Sequence, residues 1–127
     1  MNSQNTKFDL EDRTTKFAET VINLTRQIHP TPVNQRLIPQ LVAAADSVAA
    51  NYCEASEAES KKDFVHKISI VKKEIKESRL WLRLLAHSNP EFRENIIPIY
   101  RESQELLLIF SKIINTSRIN NLLKNEK

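Results

Sequence analysis

Glycine is absent from this sequence of 127 residues. No position can therefore take up positive φ without steric cost. That excludes tight hairpins of the primed types, phosphate-cradling glycine loops and the nucleotide folds built on them. Cysteine occurs once, at Cys53. An intrachain disulfide is impossible, nothing calls for an oxidising compartment, and a reduced cytoplasm is the expected setting. Long apolar runs are missing too. The longest candidate, "ELLLIFSKIIN" from Glu105 to Asn115, falls short of the roughly 18 residues a spanning helix needs. It is expected to be buried within the protein or covered by another subunit. The opening "MNSQNTKFDLEDRTTKF" lacks the apolar segment of a secretory signal, so no membrane association is expected. No complete catalytic constellation is present either, and the expected role is non-enzymatic, with no cofactor, metal or small-molecule substrate.

What remains is a chain of one-domain size, residues 1–127, with a mild basic excess of +3 and a pI near 9.1. Such a balance suits an anionic partner, and the placement of the charges matters more than their sum.

Apolar residues recur in steps of three and four along four segments, the period of helices rather than strands. The first stripe is Thr14, Phe17, Val21, Leu24 and Ile28, ended by "HPTPVN", whose two prolines remove amide donors and disfavour helix before them. Ile38, Leu41, Ala45, Val48 and Tyr52 form the second; its alanines predict close helix approach, Pro39 belongs near its start and Asn34 caps a preceding turn. Ser60 and Asp63 have the spacing of a capping box. The third stripe follows as Phe64, Ile68, Val71, Ile75, Ser78, Leu82 and Leu85. Asn89 and Pro90 read as N-cap and first helical position of the fourth, which runs Phe92, Ile96, Ile99, Ser103, Leu106, Phe110 and Ile113. Pro98 lies inside that pattern and predicts a kink or a short preliminary helix, and the polar tail from Thr116 is expected to fray. The expected helices span about 10–28, 36–57, 61–87 and 90–117, and they pack most economically as an all-α, antiparallel up-down-up-down four-helix bundle.

Two surfaces remain outside this core. At about 100° per residue, Lys62, Lys72, Lys76, Arg79 and Arg83 fall in one band beside the third stripe, with Lys67 and Lys73 apart from it. This band is the candidate nucleic-acid-binding surface; the alternative is a solvated face partly neutralised by Glu74 and Glu77. On the other flank Ile70, Leu80, Trp81 and Leu84, and on the fourth helix Tyr100, Leu107 and Ile114, form apolar faces beyond the core stripes. They are the candidate oligomer interface. Asp63 and His66 have the i, i+3 spacing of half a carboxylate–histidine metal site, but the second half is absent. Cys53 reads as a packed small hydrophobe.

The segment "SVAANYCEA" followed by "SKKDFVHKISIVKKEIKESRLWLRLL" resembles the 23S rRNA intervening-sequence protein family of bacteria. Ser47, Asn51, Glu54 and Ala55 match its S-(I/V)-x-x-N-x-x-E-(G/A) pattern, and Ser60, Lys61, Asp63 and Phe64 its S-K-K-D-F-like helix start. The resemblance runs from about Phe8 through the fourth helix. It implies a four-helix bundle and, by similarity to the accessory proteins of diversity-generating retroelements, a ring-shaped homopentamer with a basic surface for RNA or DNA. Ser47, Asn51, Glu54, Ser60 and Asp63 are expected to be structural. Ala55 stands where many relatives place glycine, which lets the second helix run on. The expected function is an oligomeric scaffold that binds nucleic acid without strong sequence specificity. The alternative is a module that holds a protein partner such as a reverse transcriptase.

Overall fold

The computed structural model describes residues 3–125, with side chains from Leu10 to Lys124. The start of the resemblance at Phe8 lies before the described side chains. Four α-helices carry nearly all of these residues: α1 (Ser3–Thr25), α2 (Pro32–Ser56), α3 (Lys61–Ser88) and α4 (Arg93–Asn125), with a 3₁₀ turn at Pro90–Phe92 ahead of α4. Sequence-adjacent helices pack side by side, α4 closes against α1, and the diagonal pairs do not approach at the backbone. With connections this short, neighbours must run antiparallel. The protein is an all-α, up-down-up-down four-helix bundle, as its periodicity predicts.

The stripes face inward. Phe17, Val21, Leu41, Val48, Ile68, Val71, Ile75, Leu82, Leu85, Ile96, Leu106 and Phe110 are fully enclosed. The diagonal between α2 and α4 is bridged by side chains alone: the rings of Tyr52 and Phe110 meet tilted at 60°, with centroids 5.6 Å apart, near the edge-to-face geometry that aromatic quadrupoles favour. Three polar residues interrupt the stripes without leaving an unmet donor. The Thr14 hydroxyl donates to the Leu10 carbonyl at 2.9 Å, Ser78 to Glu74 at 2.9 Å, and Ser103 to Tyr100.

Helix ends differ from expectation in instructive ways. Thr31, rather than Asn34, begins α2: its side chain accepts the Asn34 amide at 3.1 Å and Pro32 takes the first helical position. Pro39 therefore lies well inside α2 and Pro98 well inside α4, yet both helices are continuous. Both prolines are exposed, as are Gln35 and Glu94, whose carbonyls lose their amide partners where water can replace them. The α4 helix runs past Thr116 to Asn125, because "SRINNLLKN" contains neither proline nor glycine to stop it. Ser60 caps α3 by accepting the Asp63 amide at 3.0 Å. The reciprocal bond from the Ser60 amide to the Asp63 carboxylate does not form among the described hydrogen bonds, so half of the capping box is realised.

With neither glycine nor asparagine just after Ser56, α2 has no residue suited to a left-handed ending, and no described residue has positive φ. The helix continues through Ala55 to Ser56 and closes by a tightened turn, in which the Glu57 amide reaches the Glu54 carbonyl at 3.2 Å and the Ala58 amide the Ala55 carbonyl at 3.1 Å.

Candidate functional site

The cationic band lies along the groove between α3 and α4. Lys62, Lys76 and Arg83 are exposed, while Lys72 and Arg79 are half-buried. Arg79 is engaged within the bundle: one guanidinium nitrogen donates to the Tyr100 hydroxyl at 3.3 Å, and the guanidinium carbon lies 5.4 Å from the centre of that ring. Its Nε is buried without a protein partner. Lys67 stands apart as expected, turned toward α2, where it pairs with Glu54 at 3.1 Å. Lys73 does not stand apart; it lines the same hollow as Lys72 and Lys76, since consecutive helical residues can flank a groove that is wider than one side chain.

Antiparallel pairing adds what a single helix could not reveal. Three hollows follow one another along the groove. At one end Lys61 and Lys62 face Arg118 and Lys124 of α4. In the middle Lys72, Lys73 and Lys76 again meet Arg118, and at the far end Arg83 and His87 meet Arg93. Nine lysines and arginines line these hollows, against a single carboxylate, Glu77. Arg93, Arg118 and Lys124 are spread over the length of α4, too far apart to form a continuous band on their own helix. The signal that would have found them is the antiparallel register, which sets the end of α4 beside the start of α3.

Local neutralisation is slight. The described ion pairs hold Arg13 to Glu102 and Glu105, Lys16 to Asp12, and Lys67 to Glu54; among the described residues none of the nine groove cations pairs with a carboxylate. Burial, and then the charge of Glu77, push the Glu74 carboxyl above its ordinary range, and Asp46 of α2 is close enough to add to the effect. Lys73 opposes that shift, so Glu74 screens the groove at this one cation without forming an ion pair with it.

The apolar faces divide. Leu80 and Leu84 are exposed, as is Leu108, at 72%. Ile70, Trp81, Tyr100 and Leu107 are half-buried, the last three packed against the core. Ile114 corrects the expectation outright: at 3% exposure it is a core residue, and Ile113 is the half-buried one. Eleven residues on from Ser103, Ile114 is rotated only about 20° from it on a straight helix, whereas Ile113 is about 80° away. Of the motif residues, Asn51 donates to the Ser47 carbonyl at 2.8 Å and Glu54 ties α2 to α3 through Lys67. Asp63 and His66 are exposed, and no three His, Cys, Asp or Glu side chains among the described residues converge to hold a metal ion. Cys53 is exposed rather than packed, because α2 turns it away from the Tyr52 side of the helix.

Comparison with known families places this geometry. Residues 6–114 match the model of the 23S rRNA-intervening sequence protein family. The chain belongs to that family. A crystal structure is similar over most of the chain: a protein of unknown function from the S23 ribosomal protein family of Bacteroides thetaiotaomicron VPI-5482 shares 30% identity, with a TM-score of 0.72 over 83% of this chain and 97% of its own. No curated protein matches the sequence. Membership in the 23S rRNA-intervening sequence protein family accounts for the bundle and for the α2–α3 junction motif. No described helix is long and apolar enough to cross a membrane.

Proposed function

We propose that this family member is a non-enzymatic, self-associating cytoplasmic scaffold that binds RNA or DNA along the α3–α4 groove, through phosphates and with little base readout. The observation that carries the reading is the groove's charge: nine cations from two helices face one carboxylate, and none of the nine is paired among the described residues. Cations held together without counter-charges repel one another, and a polyanion relieves that repulsion while releasing its own condensed counterions. From Lys62 to Arg83 the α3 axis advances about 32 Å, room for several consecutive phosphates. Symmetric copies would join such grooves into a longer basic track.

The test is filter binding of RNA and DNA at two salt concentrations, comparing the native protein with a Lys72→Gln, Lys76→Gln, Arg118→Gln variant. Arg79 is left in place because Tyr100 braces it. Native affinity should fall steeply with salt, and the variant should bind at least tenfold more weakly with a shallower slope, since each lost phosphate contact removes about 0.9 from it. Equal binding by both proteins, or none by the native protein at low salt, would overturn the reading in favour of a module that holds a protein partner.

A further inference from the structure

The hollow between the start of α3 and the end of α4 differs from the rest of the groove. It is the largest of the three, about 830 Å³ against about 400 and 380 Å³. Four cations, Lys61, Lys62, Arg118 and Lys124, line it together with an apolar wall of Phe64 and Val65. Ser117 and two side-chain amides, Asn120 and Asn121, complete the lining, and neither amide makes a hydrogen bond among the described residues. A phosphate track needs cations alone. An aromatic ring, unused amides and a volume of nucleotide size go beyond that requirement.

We infer that this hollow accepts an unpaired nucleotide, so that the groove takes single-stranded nucleic acid in preference to duplex. The inference rests on the groove reading above and names its substrate. The base would lie against Phe64 and Val65, where stacking and apolar contact tolerate any of the four bases. Asn120 and Asn121 each offer both donor and acceptor and can turn to match whichever edge the base presents. The flanking phosphates would meet Lys61, Lys62, Arg118 and Lys124. A paired base is stacked within its own duplex and cannot enter without being extruded, which costs a duplex an unstacking step that a single strand does not face. His87 and Arg93 at the opposite end of the groove lie beside no comparable aromatic and amide set, because Tyr100 there is already engaged by Arg79.

Fluorescence anisotropy at low salt with a labelled single-stranded oligonucleotide and a blunt duplex of the same sequence tests this. Two variants are needed: Phe64→Leu, which keeps apolar bulk and removes the ring, and Asn120→Ala with Asn121→Ala on the exposed end of α4. The single strand should bind the native protein more tightly than the duplex does. Each variant should weaken single-strand binding by about fivefold or more and leave duplex binding and melting temperature unchanged. Should Phe64→Leu lower the melting temperature, the asparagine variant decides alone. Single-strand binding unchanged in the asparagine variant, or an equal loss for both probes, would overturn the inference. The groove reading would survive that result if the Lys72, Lys76, Arg118 variant still loses both probes; absence of all binding by the native protein would overturn both.

Discussion

Asn34 and Asn89 form a closed pair at one end of the bundle. Each amide nitrogen donates to the other's oxygen at 2.8 Å; Asn34 also donates to the His29 carbonyl at 2.9 Å and Asn89 to the Leu85 carbonyl at 3.0 Å. Both residues are buried, and between them they tie the α1–α2 connection, the first turn of α2 and the end of α3. Asn89 followed by Pro90 reads in sequence as a helix cap, but its side chain makes no capping bond to the turn that follows and reaches back across the bundle instead. Asn34→Ala should cost about 1–3 kcal/mol, because it leaves the buried Asn89 Oδ1 without a donor while its Nδ2 keeps the Leu85 carbonyl. In a double-mutant cycle by urea unfolding, Asn34→Ala with Asn89→Ala should cost clearly less than the sum of the single changes. Additive losses would mean that the two amides act independently.

At the scale of the element, the stripes decide tolerance to change. Ile75 is fully enclosed in the middle of α3, so Ile75→Ala should remove about 2–5 kcal/mol through lost burial and the cavity left behind. Leu108→Ala, on the outer face of α4, should fall within about 0.5 kcal/mol of the native protein. Denaturant midpoints check both, and an unchanged midpoint for Ile75→Ala would mean that α3 is rotated from its place here. The thinnest seam, between α1 and α4, carries a compensating clasp. Arg13 holds Glu102 in a two-pronged bond, at 3.0 Å and 2.6 Å, and reaches Glu105 at 2.9 Å, the planar geometry in which arginine outperforms lysine.

For the whole molecule, the question is what covers its outer aliphatic residues. Leu80 and Leu84 on α3, Leu108 on α4, and Ile119, Leu122 and Leu123 near the end of α4 are exposed, more large apolar side chains than the bundle's own packing uses. Light scattering at micromolar concentration should report several subunits, with a pentamer expected. Leu80→Asp with Leu84→Asp should shift the distribution toward monomer and leave the melting temperature of the bundle nearly unchanged. A clean monomer of the native protein across that range would remove self-association, and with it the joined basic track.

Helix number, inward faces and the absence of left-handed turns were legible in the residues alone, because periodicity and backbone freedom are local properties that each segment carries with it. Thr14, Phe17, Val21 and Leu24, or Ile68, Val71 and Ile75, find the core whatever packs against them. Half of the groove was legible for the same reason, as a band on α3. Its other half, Arg93, Arg118 and Lys124, became part of one surface only when α4 folded back antiparallel beside α3. The Asn34–Asn89 pair joins residues 55 apart in the chain, a separation over which no local pattern operates. Ile114 rather than Ile113 enters the core because a straight helix drifts from a seven-residue repeat over three turns, which the residue spacing itself carries. Local chemistry determined the elements and their faces; which faces meet, and therefore where charge concentrates, was decided by packing.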